Sequence, residues 1–167
     1  MSLQLIPADL EQHRELLRNL WDFYLYEYSR FTRYRVSSEG RFPDPDVGYT
    51  FFRQPFRHSI LLIVDQEIAG FAIVDVNIDS HFTGASNVIY MAEFFVLAGF
   101  QGLGIGEQAA TRLFDQFRGS WEVYEMRDNT NAQHFWRKVI GRYMNGSYTE
   151  TAYPEYEGIV QCFDNAR

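Results

Sequence analysis

Gln101, Gly102, Leu103, Gly104, Ile105 and Gly106 form a glycine-rich run between two contrasting patterns, a strand-like stretch over residues 88–97 and a helix-like stretch beyond it. A strand, a glycine turn and a helix start gather several backbone N–H groups and the positive end of a helix dipole at one point, which is how a backbone holds a phosphate. Glycine suits this place because a side chain would keep the ligand off the backbone, and because positive φ carries no steric cost for it. Residue types exclude two other phosphate loops. A P-loop ends in Gly-Lys-Ser/Thr, whereas Gly106 is followed by Glu107 and Gln108. A dinucleotide fingerprint starting at Gly102 and Gly104 needs its third glycine where Glu107 stands.

The flanks carry the pattern further. Gly106, Ala109, Ala110, Leu113, Phe114 and Phe117 recur at steps of three and four, one buried helical stripe with small residues leading it, and Gly119 is the expected stop. Residues 121–126 alternate like a half-buried strand. Asp128, Asn129, Thr130 and Asn131 are helix-capping residues, and Ala132, Phe135, Trp136, Val139 and Ile140 trace a second stripe ended by Gly141. Nearer the N-terminus, residues 3–6 read as a short strand. A helix with Leu16, Leu17, Leu20, Trp21, Tyr24 and Tyr28 on one stripe follows, with Asp9 and Gln12 spaced as a capping box. Residues 60–64 and 68–76 flank Asp65, Gln66 and Glu67 as an antiparallel hairpin, residues 77–87 form a polar connection, and residues 148–152 and 158–163 form a second hairpin. This order predicts an α+β sheet covered on both faces. With 46% hydrophobic residues in 167, and no linker or repeat, one domain with a sizeable core is expected.

Gln-x-x-Gly-x-Gly at Gln101, Gly104 and Gly106, preceded by Phe94, Phe95 and Val96, resembles the acyl-CoA loop of the GNAT superfamily of N-acyltransferases. Asn129, Ala132, Phe135 and Trp136 are similar to that family's second signature. The resemblance covers residues 88–143 in order and spacing, and the rest of the chain more loosely. It implies a single GNAT-like α+β domain over residues 1–167, with a mixed, mostly antiparallel central sheet and an acyl-CoA-binding core at residues 88–143. It also implies acetyl-CoA as co-substrate, no metal, and acetyl transfer to a primary amine of a small molecule or peptide in a ternary complex. The pyrophosphate would rest on the amides of Gln101, Gly102, Leu103, Gly104, Ile105 and Gly106. The pantetheine arm would follow Phe94, Phe95 and Val96, where this strand splays from residues 121–126. A backbone N–H near Val96 would polarise the thioester carbonyl, and Asn129, Ala132, Phe135 and Trp136 would complete the binding set.

Proton transfer needs side chains. An alkylamine has a pKa of about 10.4, so its attack requires a proton acceptor. Glu93 and Tyr90 on the central strand are candidates, with Glu125 on the next. On a regular strand Tyr90 and Glu93 face opposite ways, and only a bulge brings both to one acceptor. The family's usual general acid is a Tyr where this chain has Trp136, and an indole N–H does not ionise usefully. Tyr124 or Tyr143 substitutes, or the thiolate leaves unprotonated, or catalysis is lost. The last case leaves a catalytically silent acyl-CoA sensor or an interaction module as the alternative function. The acceptor site is expected near the first helix and the irregular segment after it, where Trp21, Phe23, Tyr24, Tyr26, Tyr28, Phe31, Tyr34, Tyr49, Phe51 and Phe52 crowd. Phe23 and Tyr26 lie off the main stripe, which suits a lined pocket or a homodimer contact.

A formal net charge of -7 argues against nucleic acid and mildly for a cationic acceptor. The lone Cys162 excludes an internal disulfide and reads as an inert core thiol, and no Cys/His cluster has metal-site spacing. Neither a signal peptide nor a membrane-length apolar stretch is evident, so a cytoplasmic chain without a membrane partner is expected.

Overall fold

Asp65 and Gln66 both adopt positive φ, 48° and 72°, the twist that joins two right-handed strands through a two-residue turn. They connect β2 (Arg57–Val64) to β3 (Glu67–Ile78) as the expected antiparallel hairpin. The computed structural model describes residues 1–42 and 52–166. Around the hairpin it places β1 (Leu3–Pro7), α1 (Arg14–Tyr28), β4 (Val88–Val96), α2 (Ile105–Gln116), β5 (Ser120–Met126), α3 (Thr130–Tyr143), β6 (Thr149–Tyr153) and β7 (Gly158–Asp164). The strands form one sheet in the order β1-β2-β3-β4-β5-β7-β6. Among the pairings only β4 with β5 is parallel, with α2 as its crossover. The sheet is thus mixed and mostly antiparallel in an α+β fold.

Helices cover both faces. Leu17 and Leu20 of α1 pack with Leu61, Phe71, Ile73 and Phe95 on one side. On the other, Ala110, Leu113 and Phe114 of α2 and Trp136, Val139 and Ile140 of α3 pack with Val74, Met91, Trp121 and Val123. Burial of these stripes is the main stabilising contribution, roughly 25 cal/mol per Å² of apolar surface.

Helix ends depart from expectation in three places. Asp9 does not cap α1; its Oδ1 accepts from the N–H groups of Glu11 and Gln12 at 2.9 Å each, closing a turn before the helix starts at Arg14. The reciprocal contact comes from His13, whose Nδ1 accepts from the Asp9 N–H at 3.0 Å. α2 stops at Gln116, ahead of Gly119. α3 continues through Gly141 to Tyr143, and the left-handed Gly146 donates its N–H back to the Gly141 carbonyl at 2.8 Å. The N-terminal cap of α3 is as expected, with Asn129 Oδ1 accepting from the Ala132 N–H at 3.1 Å. Tyr49 and Phe51 lie outside the described residues.

Candidate functional site

The parallel ladder between β4 and β5 is short. It joins Ile89 to Trp121, Tyr90 to Glu122 and Met91 to Val123, then stops. On its other side β4 stays paired with β3 as far as Val96 opposite Gly70. The two central strands therefore part, and a cleft opens along the far half of β4. Backbone groups alternate sides along a strand. Because the Leu97 N–H donates to the Ala69 carbonyl on the β3 side, at 2.8 Å, the N–H and C=O of Val96 turn to the open edge. There the Val96 carbonyl accepts from Gln101 Nε2 at 2.8 Å.

One half of the cleft, about 410 Å³, lies under the glycine run. Gly102 and Gly104 are left-handed, with φ of 75° and 79°, and Gly104 is the N-cap of α2. A β-carbon on Gly104 would approach only Gln108 Nε2, at 3.9 Å, so its conformation and its place on the cleft wall demand glycine more than packing does. At Gly106 packing decides, since a β-carbon would sit 3.2 Å from the Phe135 ring. Glu107, in the first turn of α2, pairs with Lys138 at 2.9 Å and Arg142 at 2.8 Å on α3, and these cations hold its carboxyl below the usual range. A glycine-lined helix start with a cation pair beside it is suited to an extended phosphate-bearing ligand.

The other half, about 220 Å³, is a tyrosine cage around Glu93. Ile73 is opposite Glu93 whereas Val74 is opposite Met91, so Ala92 is an extra residue and β4 bulges there. The bulge restores parity and turns Tyr90 and Glu93 to the same face, toward Tyr24 and Tyr28 of α1. Burial raises the Glu93 carboxyl to about 7, against the pull of a hydrogen bond from Tyr24 and the charge of Arg57, with Asp75 adding to the rise. Arg57 and Asp75 are themselves a buried bidentate pair, Nε to Oδ1 at 2.6 Å. Burial, then the Glu93 charge, pushes Tyr28 up to about 12 and Tyr24 and Tyr90 well above the ordinary phenol value. Near neutrality the tyrosines keep their protons while Glu93 titrates.

Phe94, Ala132 and Trp136 line both halves, making them two ends of one cleft. Trp136 is buried edge-on against Phe94 and Phe135, with ring centroids 5.1 and 4.9 Å away. Gln101, Gly102, Gly104, Gly106, Val96 and Phe135 are on the glycine-loop wall, and Asn129 on the Glu93 side. Three residues carried by the resemblance are elsewhere. Phe95 faces α1 beside Tyr24, Ile105 is buried against Leu3 and Leu62, and Leu103 projects outward, half exposed. Tyr143 is also remote from the cleft; its hydroxyl donates to Asp115 at 2.9 Å and receives bonds from Arg118 and Asn165, both at 3.2 Å. Tyr124 does line the cleft, but its hydroxyl donates to the Tyr156 carbonyl at 2.6 Å. Sequence reasoning missed Asn131 and Lys138, which join Phe135 on the glycine-loop side. Their signal was the spacing 131, 135, 138, one face of α3. Among the described residues no His, Cys, Asp or Glu group could hold a metal ion, and no helix is long and apolar enough to cross a membrane.

A profile of the Acetyltransferase (GNAT) family matches residues 14–141, while no curated protein sequence matches the chain. Among solved structures the chain is similar to an acetyltransferase from Thermus thermophilus, at 15% identity and TM-score 0.68, over 98% of this chain and 97% of that one. It is also similar to RimL, a ribosomal L7/L12 alpha-N-protein acetyltransferase in complex with coenzyme A, at 15% identity and TM-score 0.63, over 100% and 97%. A third is AAC(6')-Iy bound to the bisubstrate analog CoA-S-monomethyl-acetylneamine, at 18% identity and TM-score 0.58, over 83% and 90%. At such identities the likeness is one of fold.

Proposed function

The chain belongs to the GNAT family of acetyltransferases, and on that premise we propose that it moves the acetyl group of acetyl-CoA to a primary amine by direct attack in a ternary complex. Residues 1–167 are then one acyltransferase domain, with acetyl-CoA held by residues 88–143. One observation carries this reading. A single cleft has a left-handed glycine turn at a helix start at one end and a carboxyl titrating near neutrality at the other.

Acetyl-CoA supplies the activated acyl group as a thioester, and the chain does the rest. The amides of residues 101–106 and the Lys138 cation hold the phosphates, and the Val96 N–H, on the open edge of β4, donates to the carbonyl oxygen as charge builds there. Glu93 takes a proton from the attacking nitrogen. The Glu93 half is lined by Tyr24, Tyr28, Tyr90 and Tyr124 and, among the described residues, by no Lys or Arg. A carboxylate next to the amine would find no cation there, whereas aromatic faces attract an alkylammonium. The acceptor is thus an amine without an adjacent acid group, on a small molecule or a peptide.

Acetyl-CoA at about 100 times its dissociation constant should add roughly 2.7 kcal/mol of stability, a rise of about 5–11 °C in melting temperature for a chain of this size. No rise overturns the acetyl-CoA reading. Gly104→Val should remain folded and lose that rise, since a β-branched residue at φ of 79° distorts the turn at a cost of about 1–2 kcal/mol and points into the cleft. Thiol release in the presence of alkylamines and peptides then separates transferase from sensor. Binding without release under any acceptor would favour the sensor, the reading that Trp136 keeps in view.

A further inference from the structure

Glu125 is on β5 where that strand parts from β4, 3% exposed, and neither of its carboxyl oxygens has a hydrogen-bond partner. It lines the cleft with Asn129, Ala132 and Trp136. Alternation along β5 puts Glu125 on the same face as Trp121 and Val123, which pack with α3, whereas Glu93 is on the opposite face, toward α1. Two carboxyls thus enter one cleft from the two sides of the sheet, through the gap between β4 and β5. A buried carboxylate without a donor is costly, while a neutral carboxylic acid brings its own O–H.

Resting on the acetyl-CoA reading of this cleft, we propose that Glu125 is the proton donor to the sulfur that leaves as the acetyl group is transferred, the role closed to Trp136. The groups around it are Glu150 on β6, Arg137 on α3, the neighbouring Tyr124 of its own strand and, across the cleft on β4, Glu93 and Tyr90. Arg137 is already engaged by Glu150, Nε to Oε2 at 2.8 Å and a second nitrogen to Oε1 at 2.7 Å, and Gln161 Nε2 also donates to Glu150 at 2.8 Å. Burial, helped by the Glu150 charge and opposed by Arg137, raises the Glu125 carboxyl to about 9. It is therefore protonated near neutrality and close to the value of about 8.5 for a free thiol, so proton transfer to sulfur is nearly balanced.

The protons close. The acceptor ammonium releases one proton to solvent on entering, and the attacking nitrogen gives its second to Glu93 as the C–N bond forms. The C–S bond breaks with its electron pair going to sulfur, which takes the Glu125 proton. Glu93 then returns its proton through solvent to Glu125, and one proton is released per amide formed.

Two measurements test this. In turnover, Glu125→Gln should lower kcat by about tenfold to a hundredfold with the KM for acetyl-CoA within about twofold, and should remove the fall in rate above about pH 9. The second needs no acceptor and no activity. Affinities for CoA and for desulfo-CoA, which has hydrogen in place of the thiol, are compared by calorimetry from about pH 7 to pH 9.5. In the parent, ionising both the thiol and Glu125 sets two negative charges together, so CoA should weaken about fivefold relative to desulfo-CoA, and in Glu125→Gln less than about twofold. Equal pH dependence in the two proteins, or an unchanged kcat and alkaline limb in the variant, overturns the assignment of Glu125. Failure of the parent to bind either ligand overturns the acetyl-CoA reading itself.

Discussion

Glu93→Gln is expected to lower turnover at about pH 7.5 by about a hundredfold, with the KM for acetyl-CoA within about twofold. In the role proposed for it Glu93 must be ionised to work, and burial raises its carboxyl to about 7. The parent rate should rise about tenfold per pH unit below that value and level off between it and about pH 9, and the variant should lack this acidic limb. Misfolding is separable by the sign of the linkage. A carboxyl whose folded value is raised, here from 4.5 to about 7, contributes stability that is full below the unfolded value and is lost as pH rises toward the folded one. Removing that titration should leave the variant's melting temperature at neutral pH no lower than the parent's. A variant that keeps the acidic limb would move the base to another group in the cleft.

Gly70→Ala should be the most damaging single-methyl change in the sheet. Gly70 has φ of 154° and is paired with Val96 at the end of β4. A β-carbon there would collide with the Phe95 carbonyl oxygen and lie 3.0 Å from the Val96 Cα, both of them backbone atoms. Backbone cannot rotate aside as a side chain can, so β3 and β4 must separate where the cleft begins. The expected cost is about 4 kcal/mol, a fall in melting temperature of about 8–16 °C. Gly99→Ala is the control, since a β-carbon there meets nothing within 4 Å and should change stability by less than about 0.5 kcal/mol. Equal melting temperatures for the two variants would contradict the close approach of β3 to β4.

Local chemistry made much of the fold legible. The stripes at Ala109, Ala110, Leu113 and Phe114, and at Trp136, Val139 and Ile140, became the buried faces of α2 and α3 because helical periodicity is written in the chain itself. The Asp65-Gln66 turn declared its hairpin for a similar reason. Helix stops were read less well. The glycines at 119 and 141 were available as stops, but α2 ends earlier at Gln116, and α3 runs past Gly141 to a turn closed by the left-handed Gly146.

The candidate site divides along the same line. By itself the sequence determined the glycine turn, the strand before it and the capped helix at Asn129, since each is specified within a few residues by conformational preference. Only the tertiary structure decided which groups meet in the cleft. Nothing in Tyr90-Met91-Ala92-Glu93 announces a bulge, because almost any residue can occupy one, yet that one residue turns Glu93 and Tyr90 onto the same face. Alternation puts Glu125 in line with Trp121 and Val123, but only the packing of α3 and β7 shows that it is buried there without a partner. Burial, and with it the protonation state of both carboxyls, belongs to neighbours on other elements, Tyr24 and Arg57 for Glu93, and Arg137 and Glu150 for Glu125, and no local pattern encodes them.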